Sequence, residues 1–332
     1  MKKTDTSKDR YWVGFDLGGT KMLAVLYDAS FEVIGRRKRK TRAFEGLDVG
    51  LARIVQTIED CLAESGIAPS QLYGISVGAP GTLDPSKGVI HDLPNLGWKN
   101  VKISEFLKKH FACPVILSND VDAGTYGEYI SGAAKGAHCA LGIFPGTGIG
   151  GACVYDGKPL TGSRRSCMEI GHIPIVSNGR LCGCGNYGCL ETVASRLSIA
   201  SEIAAAAYRG EAPFILEDAG TDLINIRSAA IARAIENGDT VVAQIVERAA
   251  TWLGQGIATA VNLLLPDVVV LGGGLVDAMP DSYVEHVRTS TQKHVAPLYR
   301  DQFEIKPAKL GDDSVTFGAA TWMASHLENA TA

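Results

Sequence analysis

Four side chains in one short stretch have the types and spacing of a metal site. They are His172, Cys182, Cys184 and Cys189, in Met168-Glu-Ile-Gly-His172 and Cys182-Gly-Cys184-Gly-Asn-Tyr-Gly-Cys189. Three thiols and one imidazole are the ligand set of a closed tetrahedral zinc centre. Four protein ligands leave no obvious open position, so the zinc is expected to be structural, with the second ring nitrogen of His172 free to donate. Two carboxylates, Glu169 and Glu191, bracket the ligands, and the metal is expected to fix the loop that presents them.

Two glycine-rich turns suggest phosphate chemistry. Asp16-Leu-Gly18-Gly19-Thr20-Lys21 ends one strand and opens another. Adjacent glycines let backbone N–H groups converge on an anion; Thr20 and Lys21 add a hydroxyl and a charge. Asp16 offers a carboxylate to a hydrated magnesium ion near such phosphates. The plainer alternative is a simple hairpin turn. No Walker A sequence occurs in the chain. Gly146-Thr147-Gly148-Ile149-Gly150-Gly151 fits the dinucleotide spacing G-x-G-x-x-G. Those glycines would have to open a helix, whereas residues 152–155 read as a returning strand, so a second phosphate-binding hairpin fits better. Asn119-Asp120 follows a short apolar strand, where α/β sheets place reactive groups. Ser118, Asn119 and Asp120 are also all suited to capping the helix that follows.

The elements that must position these residues alternate between strand and helix. Residues 13–28 read strand, turn, strand, and residues 31–41 a third strand. Helices are expected over 47–65, 103–111, 122–131, 197–208 and 228–236. A long helix follows, capped by Asp239 and ended by Pro266. Strands are expected at 72–77, 115–117, 140–144, 152–155 and 268–271. The strand–glycine turn–strand–Tyr-Asp pattern of residues 13–28 recurs at 141–156, a domain-scale repeat. The mixture reads as an α/β fold in two lobes.

Bulk properties exclude several classes. The 332 residues suffice for about two domains. A net charge of -4 gives no general attraction to nucleic acid or anionic membrane. The basic run Arg36-Arg37-Lys38-Arg39-Lys40 reads better as a solvated strand edge than as a nucleic-acid patch. No apolar run reaches the roughly 18 residues of a membrane helix, and the N-terminus shows no signal-peptide pattern. Three of eight cysteines cluster and five are scattered, the pattern of a reduced cytoplasmic protein with one metal site.

Together these motifs resemble the ROK family (repressors, open reading frames and sugar kinases) of the actin/hexokinase fold group. The resemblance is carried by Asp16 to Lys21, Gly78-Ala-Pro-Gly81, Asn95-Leu-Gly-Trp98, Asn119-Asp120, Gly146 to Gly151, Glu169-Ile-Gly-His172, the cysteine cluster through Glu191, Gly272-Gly273-Gly274 and Leu310-Gly-Asp-Asp313. It implies a two-lobed actin-like (ribonuclease H-like) α/β fold with a deep interlobe cleft. One lobe would be residues 1–122 with about 312–332, the other residues 123–311. ATP with Mg²⁺ would place its phosphates at Gly18-Gly19-Thr20 and Thr147-Gly148, and its adenosine near Gly272 to Gly274. The sugar would meet Gly81, Asn95, Asn119, Asp120, Glu169, His172 and Glu191, with Asp120 as general base. The family also implies a homo-oligomer, dimer or tetramer.

The chain departs from the family pattern at Met168, ordinarily a glycine, at Val121-Asp122, and at Pro145. Met168 is expected to narrow the pocket on the C1–C2 side of the sugar. Family repressors carry a helix-turn-helix domain ahead of this body, and a first phosphate motif near residue 13 leaves no room for one. The expected activity is phosphorylation of a hexose at a primary hydroxyl, glucose first. N-acetylmannosamine, N-acetylglucosamine or fructose as substrate, and polyphosphate as donor, are the alternatives. A catalytically silent sugar-binding protein is the non-enzyme reading; a zinc hydrolase is disfavoured by the closed ligand set.

Overall fold

The computed structural model describes residues 10–162 and 166–331; the first nine residues, on which the signal-peptide expectation bears, lie outside them. The chain forms two compact units. One comprises Met1–Lys135, Pro159–Cys167 and Asp312–Ala332, the other Gly136–Lys158 and Met168–Gly311. A division between residues 122 and 123 would cut a helix; the units part at Lys135 and Gly136 instead.

The first unit begins with β1 (Tyr11–Leu17), β2 (Lys21–Tyr27), β3 (Val33–Lys40), α1 (Leu47–Glu64) and β4 (Leu72–Ala79). A small antiparallel sheet of β5 (Thr82–Asp84), β6 (Val89–Leu93) and β7 (Trp98–Val101) follows, then α2 (Ile103–Phe111), β8 (Val115–Asn119) and α3 (Asp120–Ser131). The main sheet runs β3-β2-β1-β4-β8, antiparallel through β3, β2 and β1 and parallel through β1, β4 and β8. Its central strands are covered on both faces, so their sequences are nearly continuous apolar runs. Phe15, Leu17, Met22 and Leu26 pack with the α1 stripe Ile54, Ile58 and Leu62.

The second unit holds β9 (Cys139–Pro145), β10 (Ile149–Tyr155) and β11 (Lys158–Pro159, its last residue in the first unit). Helices α4 (Glu191–Ala194), α5 (Arg196–Tyr208), α6 (Pro213–Asp218), α7 (Ser228–Glu236) and α8 (Thr240–Leu264) follow. Then come β12 (Val268–Leu271), α9 (Gly274–Ala278), α10 (Ser282–His294) and β13 (Glu304–Pro307). Its sheet runs β11-β10-β9-β12-β13. Each main sheet therefore contains an antiparallel hairpin, β1–β2 or β9–β10, whose first strand pairs in parallel with later strands. This is the repeat visible in the sequence. The final helix, α11 (Ser314–Thr331), returns to the first unit, where Ala320, Met323 and Ala324 cover Trp12, Leu23, Val25 and Tyr27 on the other face of the sheet.

Two expectations change in detail. The basic run on edge strand β3 is ion-paired within its own unit: Arg36 with Asp313, Arg37 with Glu64, Lys38 with Asp312 and Arg39 with Asp60. Asp239 precedes α8 but its side chain does not cap it; the carboxylate accepts the Ile215 N–H of α6 at 3.1 Å.

Helices α3 and α11 approach closely through glycines. A Cβ on Gly318 would lie 1.8 Å from the carbonyl oxygen of Ala123 and 2.6 Å from the Gly127 nitrogen. Alanine is otherwise the better helix former by roughly 0.5–1 kcal/mol. Gly318→Ala is nevertheless expected to destabilise the protein by about 1–3 kcal/mol through overpacking. Urea denaturation reads this directly, and a gain in stability would contradict the close packing.

Candidate functional site

In the first unit, parallel pairing brings two carboxylates to neighbouring strand ends. Asp16 of β1 pairs with Gly78 of β4, and Gly78 with Ser118 of β8. A Cβ on Gly78 would stand 3.7 Å from the Asp120 Cα. Asn119, not Asp120, caps α3: its side-chain oxygen accepts the N–H groups of Val121 at 2.9 Å and Asp122 at 3.3 Å. Asp120 is not the cap, and its Oδ1 accepts the Val121 N–H at 3.0 Å. Burial pushes the Asp120 carboxyl up to about 6. Burial and then the charge of Asp120 push Asp16 up to about 7, against the pull of Lys21. Two half-buried carboxylates of this kind favour a cation beside them.

The β1–β2 turn is a hairpin with special backbone needs. A Cβ on Gly18 would lie 2.6 Å from the Lys21 carbonyl oxygen. The Thr41 hydroxyl donates to the Gly18 carbonyl at 2.7 Å, and its N–H donates to the Thr20 carbonyl at 2.9 Å, bracing the turn. Thr20 is exposed. The Lys21 ammonium does not stand free, because it donates to both oxygens of Asp312 at 2.8 and 3.0 Å. Asn95 lies against this hairpin, its Cβ 3.1 Å from the Cβ position of Gly19. Gly81 holds a left-handed φ of 88° and packs on the backbone of Asp92 and Leu93, just before Asn95.

The second unit gathers the metal ligands. Ligand atoms of His172, Cys182, Cys184 and Cys189 all lie within 4.8 Å of one another. Cys184 Sγ and Cys189 Sγ are 3.7 Å apart, and Cys182 Sγ is 3.6 Å from His172 Nδ1. Tetrahedral zinc with Zn–S bonds of about 2.3 Å sets ligand-to-ligand edges of about 3.8 Å. The donor set and its spacing therefore fit zinc, with Nδ1 as the imidazole ligand. Nε2 then faces Glu169, whose Oε2 is 4.0 Å away.

Glu191, just past the last thiol, ties this loop to the second glycine hairpin. Its Oε2 accepts the Ile149 N–H at 3.1 Å, and its Oε1 lies 3.6 Å from Cys182 Sγ. A Cβ on Gly148 would meet Glu191 Oε2 at 2.3 Å, so that position must be small. Gly151 is required for a different reason: its Cβ would lie 2.4 Å from the Met168 carbonyl oxygen. Met168 itself has φ 63°, the left-handed region where glycine is favoured, and its carbonyl accepts the Ile170 N–H at 2.6 Å. The Met168 side chain packs against the second unit's core. The position thus makes a backbone demand, where the sequence suggested a narrowed sugar pocket. Gly272 abuts the Phe144 ring, and Gly273 (φ 93°) abuts the Pro145 carbonyl, so the turn after β12 lies at the base of the Gly146-Thr147-Gly148 hairpin.

Two partners escaped the sequence reading. Asp312 lies in a quoted motif, but nothing in the spacing tells that it holds Lys21. Arg196 donates to the Thr147 hydroxyl at 3.0 Å, and its only sequence signal is its place at the start of a helix. No disulfide joins cysteines among the described residues. No helix among the described residues is long and apolar enough to cross a membrane.

A duplicated mixed sheet with a glycine hairpin on each copy defines an actin-like α/β protein of the sugar-kinase type. Residues 12–326 match the model of the ROK family, and the chain belongs to that family. It is 31% identical to a glucokinase of Halalkalibacterium halodurans over 97% of each chain. It is 26% identical to a xylose repressor of Caldicellulosiruptor bescii, over 95% of this chain and 78% of that one. Among solved structures, a ROK family glucokinase of Streptomyces griseus, in complex with glucose and AMPPNP, superposes with a TM-score of 0.82. The two are 27% identical, over 94% of this chain and 98% of that one.

Metal analysis of the purified protein is expected to return one zinc per chain. Cys184→Ala is expected to lose it and to melt at a lower temperature; a native protein without zinc would contradict the assignment. The Asp16 carboxyl makes a second prediction. Its value rises from about 3.9 in the unfolded chain to about 7 in the folded one. The folded state thus holds the proton more tightly, and stability falls as pH rises from about 4 to 7. In calorimetry without added magnesium, Asp16→Asn should melt higher than the parent at pH 8 and lose that advantage near pH 4.

Proposed function

We propose that this protein transfers the γ-phosphoryl group of ATP to a primary hydroxyl of a hexose, glucose first, in the cytoplasm. The observation that carries the reading is the Asp120 carboxyl: it directly follows a parallel strand, is released from capping by Asn119, and is raised to about 6. A base with a value near working pH is suited to accept a hydroxyl proton. Full-length identity of 31% to a glucokinase supports glucose as the acceptor.

In this reading the sugar hydroxyl attacks the γ-phosphorus in line while Asp120 takes its proton. Gly81, Asn95 and Asn119 of the first unit, and Glu169, His172 and Glu191 of the second, are assigned to sugar recognition. Vicinal hydroxyls need paired acceptors, which a loop held by zinc supplies without reorganisation. Backbone N–H groups of Gly18, Gly19, Thr20, Thr147 and Gly148 are assigned to the phosphates, and Gly272, Gly273 and Gly274 to the adenosine. Asp16 is suited to hold Mg²⁺ through water, and the ion's chemistry there is to offset charge on the phosphates. Zinc is assigned no step in the transfer.

Relatives named as repressors make a silent sugar-binding protein the second reading. A coupled ADP-release assay over a panel of hexoses separates the two. Asp120→Asn is expected to lower kcat by about 10²–10⁴-fold or more, with glucose binding still detectable by calorimetry. In the parent, kcat/KM is expected to fall about tenfold per pH unit below about 6, because only the ionised carboxylate accepts the proton. Near-parental turnover by Asp120→Asn would refute the base.

A further inference from the structure

The second glycine hairpin carries a positive charge that the reading above does not use. Arg196, the first residue of α5, reaches back to it twice. Its Nη2 donates to Thr147 Oγ1 at 3.0 Å and its backbone N–H donates to the Gly146 carbonyl at 2.9 Å. Arg227 is the N-cap residue of α7. Its neighbour Ser228 touches the glycine turn after β12, with Oγ 3.0 Å from the Cβ position of Gly274. That turn in turn abuts Pro145 through Gly273. Partial burial, and after it the charge of Arg227, make the Arg196 guanidinium easier to deprotonate than an ordinary arginine.

Of the six other arginines of this unit, Arg180, Arg209, Arg233, Arg248 and Arg288 are ion-paired and, among the described residues, Arg300 is not. Among the described residues, neither Arg196 nor Arg227 forms an ion pair with a carboxylate. The carboxylate at this hairpin, Glu191, is bonded to the Ile149 amide rather than to either arginine, and like charges beside a glycine turn are relieved by an anion. The planar guanidinium suits phosphate oxygens, which it can bind in bidentate fashion.

We propose that Arg196, supported by Arg227, binds the phosphoanhydride chain of the phosphoryl donor at the Gly146-Thr147-Gly148 hairpin. The proposal rests on the kinase reading for the identity of the donor. A nucleoside triphosphate and inorganic polyphosphate share this chemistry. Arg196 also orients the Thr147 hydroxyl, so one side chain contributes charge and fixes a neighbouring donor.

The test is isothermal calorimetry on the full-length zinc-loaded protein with ATP and, separately, with sodium tripolyphosphate. The parent is compared with Arg196→Ala, Arg196→Lys and Arg227→Ala, and donor and sugar KM values are measured alongside. Arg196→Ala is expected to weaken binding of each phosphate compound that the parent binds by 10-fold or more. The loss should shrink as salt is raised, Arg196→Lys should recover part of it, and Arg227→Ala should show a smaller loss. Donor KM should rise while sugar KM stays unchanged. Binding of ATP alone identifies the nucleotide as the source, and binding of both admits polyphosphate. Parental affinity in Arg196→Ala, or a parent that binds neither compound, overturns the proposal. Thr147→Val reproducing the full loss, with no change in salt dependence between parent and Arg196→Ala, also overturns it by reducing Arg196 to a brace. A parent that phosphorylates hexoses with an unchanged donor KM in Arg196→Ala keeps the kinase reading and rejects the arginine. Tripolyphosphate binding lost in Arg196→Ala, without any sugar phosphorylation by the parent, keeps the phosphate site and rejects the kinase.

Discussion

The four-ligand clamp of His172, Cys182, Cys184 and Cys189 is the constraint on which the second unit's site depends. Between residues 173 and 187 only Cys182 is buried, and the regular pairing there is limited to the isolated bridges Pro174–Cys189 and Leu181–Tyr187. Ordering such a stretch costs about 1–2 kcal/mol per residue in backbone entropy, and Ile173 and Ile175, which pack partly buried against the unit's core, offset only a part of it. Zinc held by these four ligands would offset a large part of that cost, by about 10 kcal/mol or more. The consequence reaches beyond the loop. Glu191 follows the last thiol by two residues and bonds the Ile149 amide, so the ligand geometry also sets where the β9–β10 hairpin meets α4.

The first unit works against its own stability. Asp16 and Asp120 are raised above the ordinary carboxylate range because burial disfavours their charged forms, and Asp16 is raised further by the charge of Asp120. A fold selected only for stability would place apolar or amide side chains at these strand ends. Keeping two acids there is understandable if a cation and a proton-donating hydroxyl are their natural partners, since both relieve the strain on binding. The surrounding structure over-determines their positions: three parallel strands in fixed register, and a helix whose first turn is capped by a different residue.

Much of this was legible in the sequence because it is encoded locally. Apolar periodicity marks α1 and α2, the duplicated hairpin shows as two glycine turns of similar surroundings, and cysteine spacing announces the metal site. What stayed hidden depends on contacts between distant positions. Nothing near Lys21 indicates that Asp312, 291 residues on, takes its charge. Asp239 has the residue type and place of a cap, yet tertiary packing directs its carboxylate to α6. Asn119 and Asp120 are equally good caps by type, and only the three-dimensional turn decides between them. Met168 carries a side-chain signal in the sequence, and its left-handed backbone adds a conformational demand that residue type does not reveal.

The two hairpins descend from one topology yet are charged in opposite senses, and this divides their labour. At Gly18-Gly19-Thr20 the neighbouring ionisable groups are Asp16 and a lysine already neutralised by Asp312, so the local balance favours a cation. At Gly146-Thr147-Gly148 the Glu191 carboxylate has one oxygen on a backbone amide and the other beside a proposed metal ligand, while among the described residues Arg196 and Arg227 form no ion pair with a carboxylate. That balance favours an anion. A hairpin's backbone amides attract phosphate in either case, but amides alone cannot tell a magnesium-bearing phosphate from a bare one. In the proposed reading the side chains can: acids at one turn select for the metal, and arginines at the other select for the phosphoanhydride chain. Duplication of a fold thus yields two different half-sites by changing a few charges at strand and helix ends, while leaving the sheet order intact.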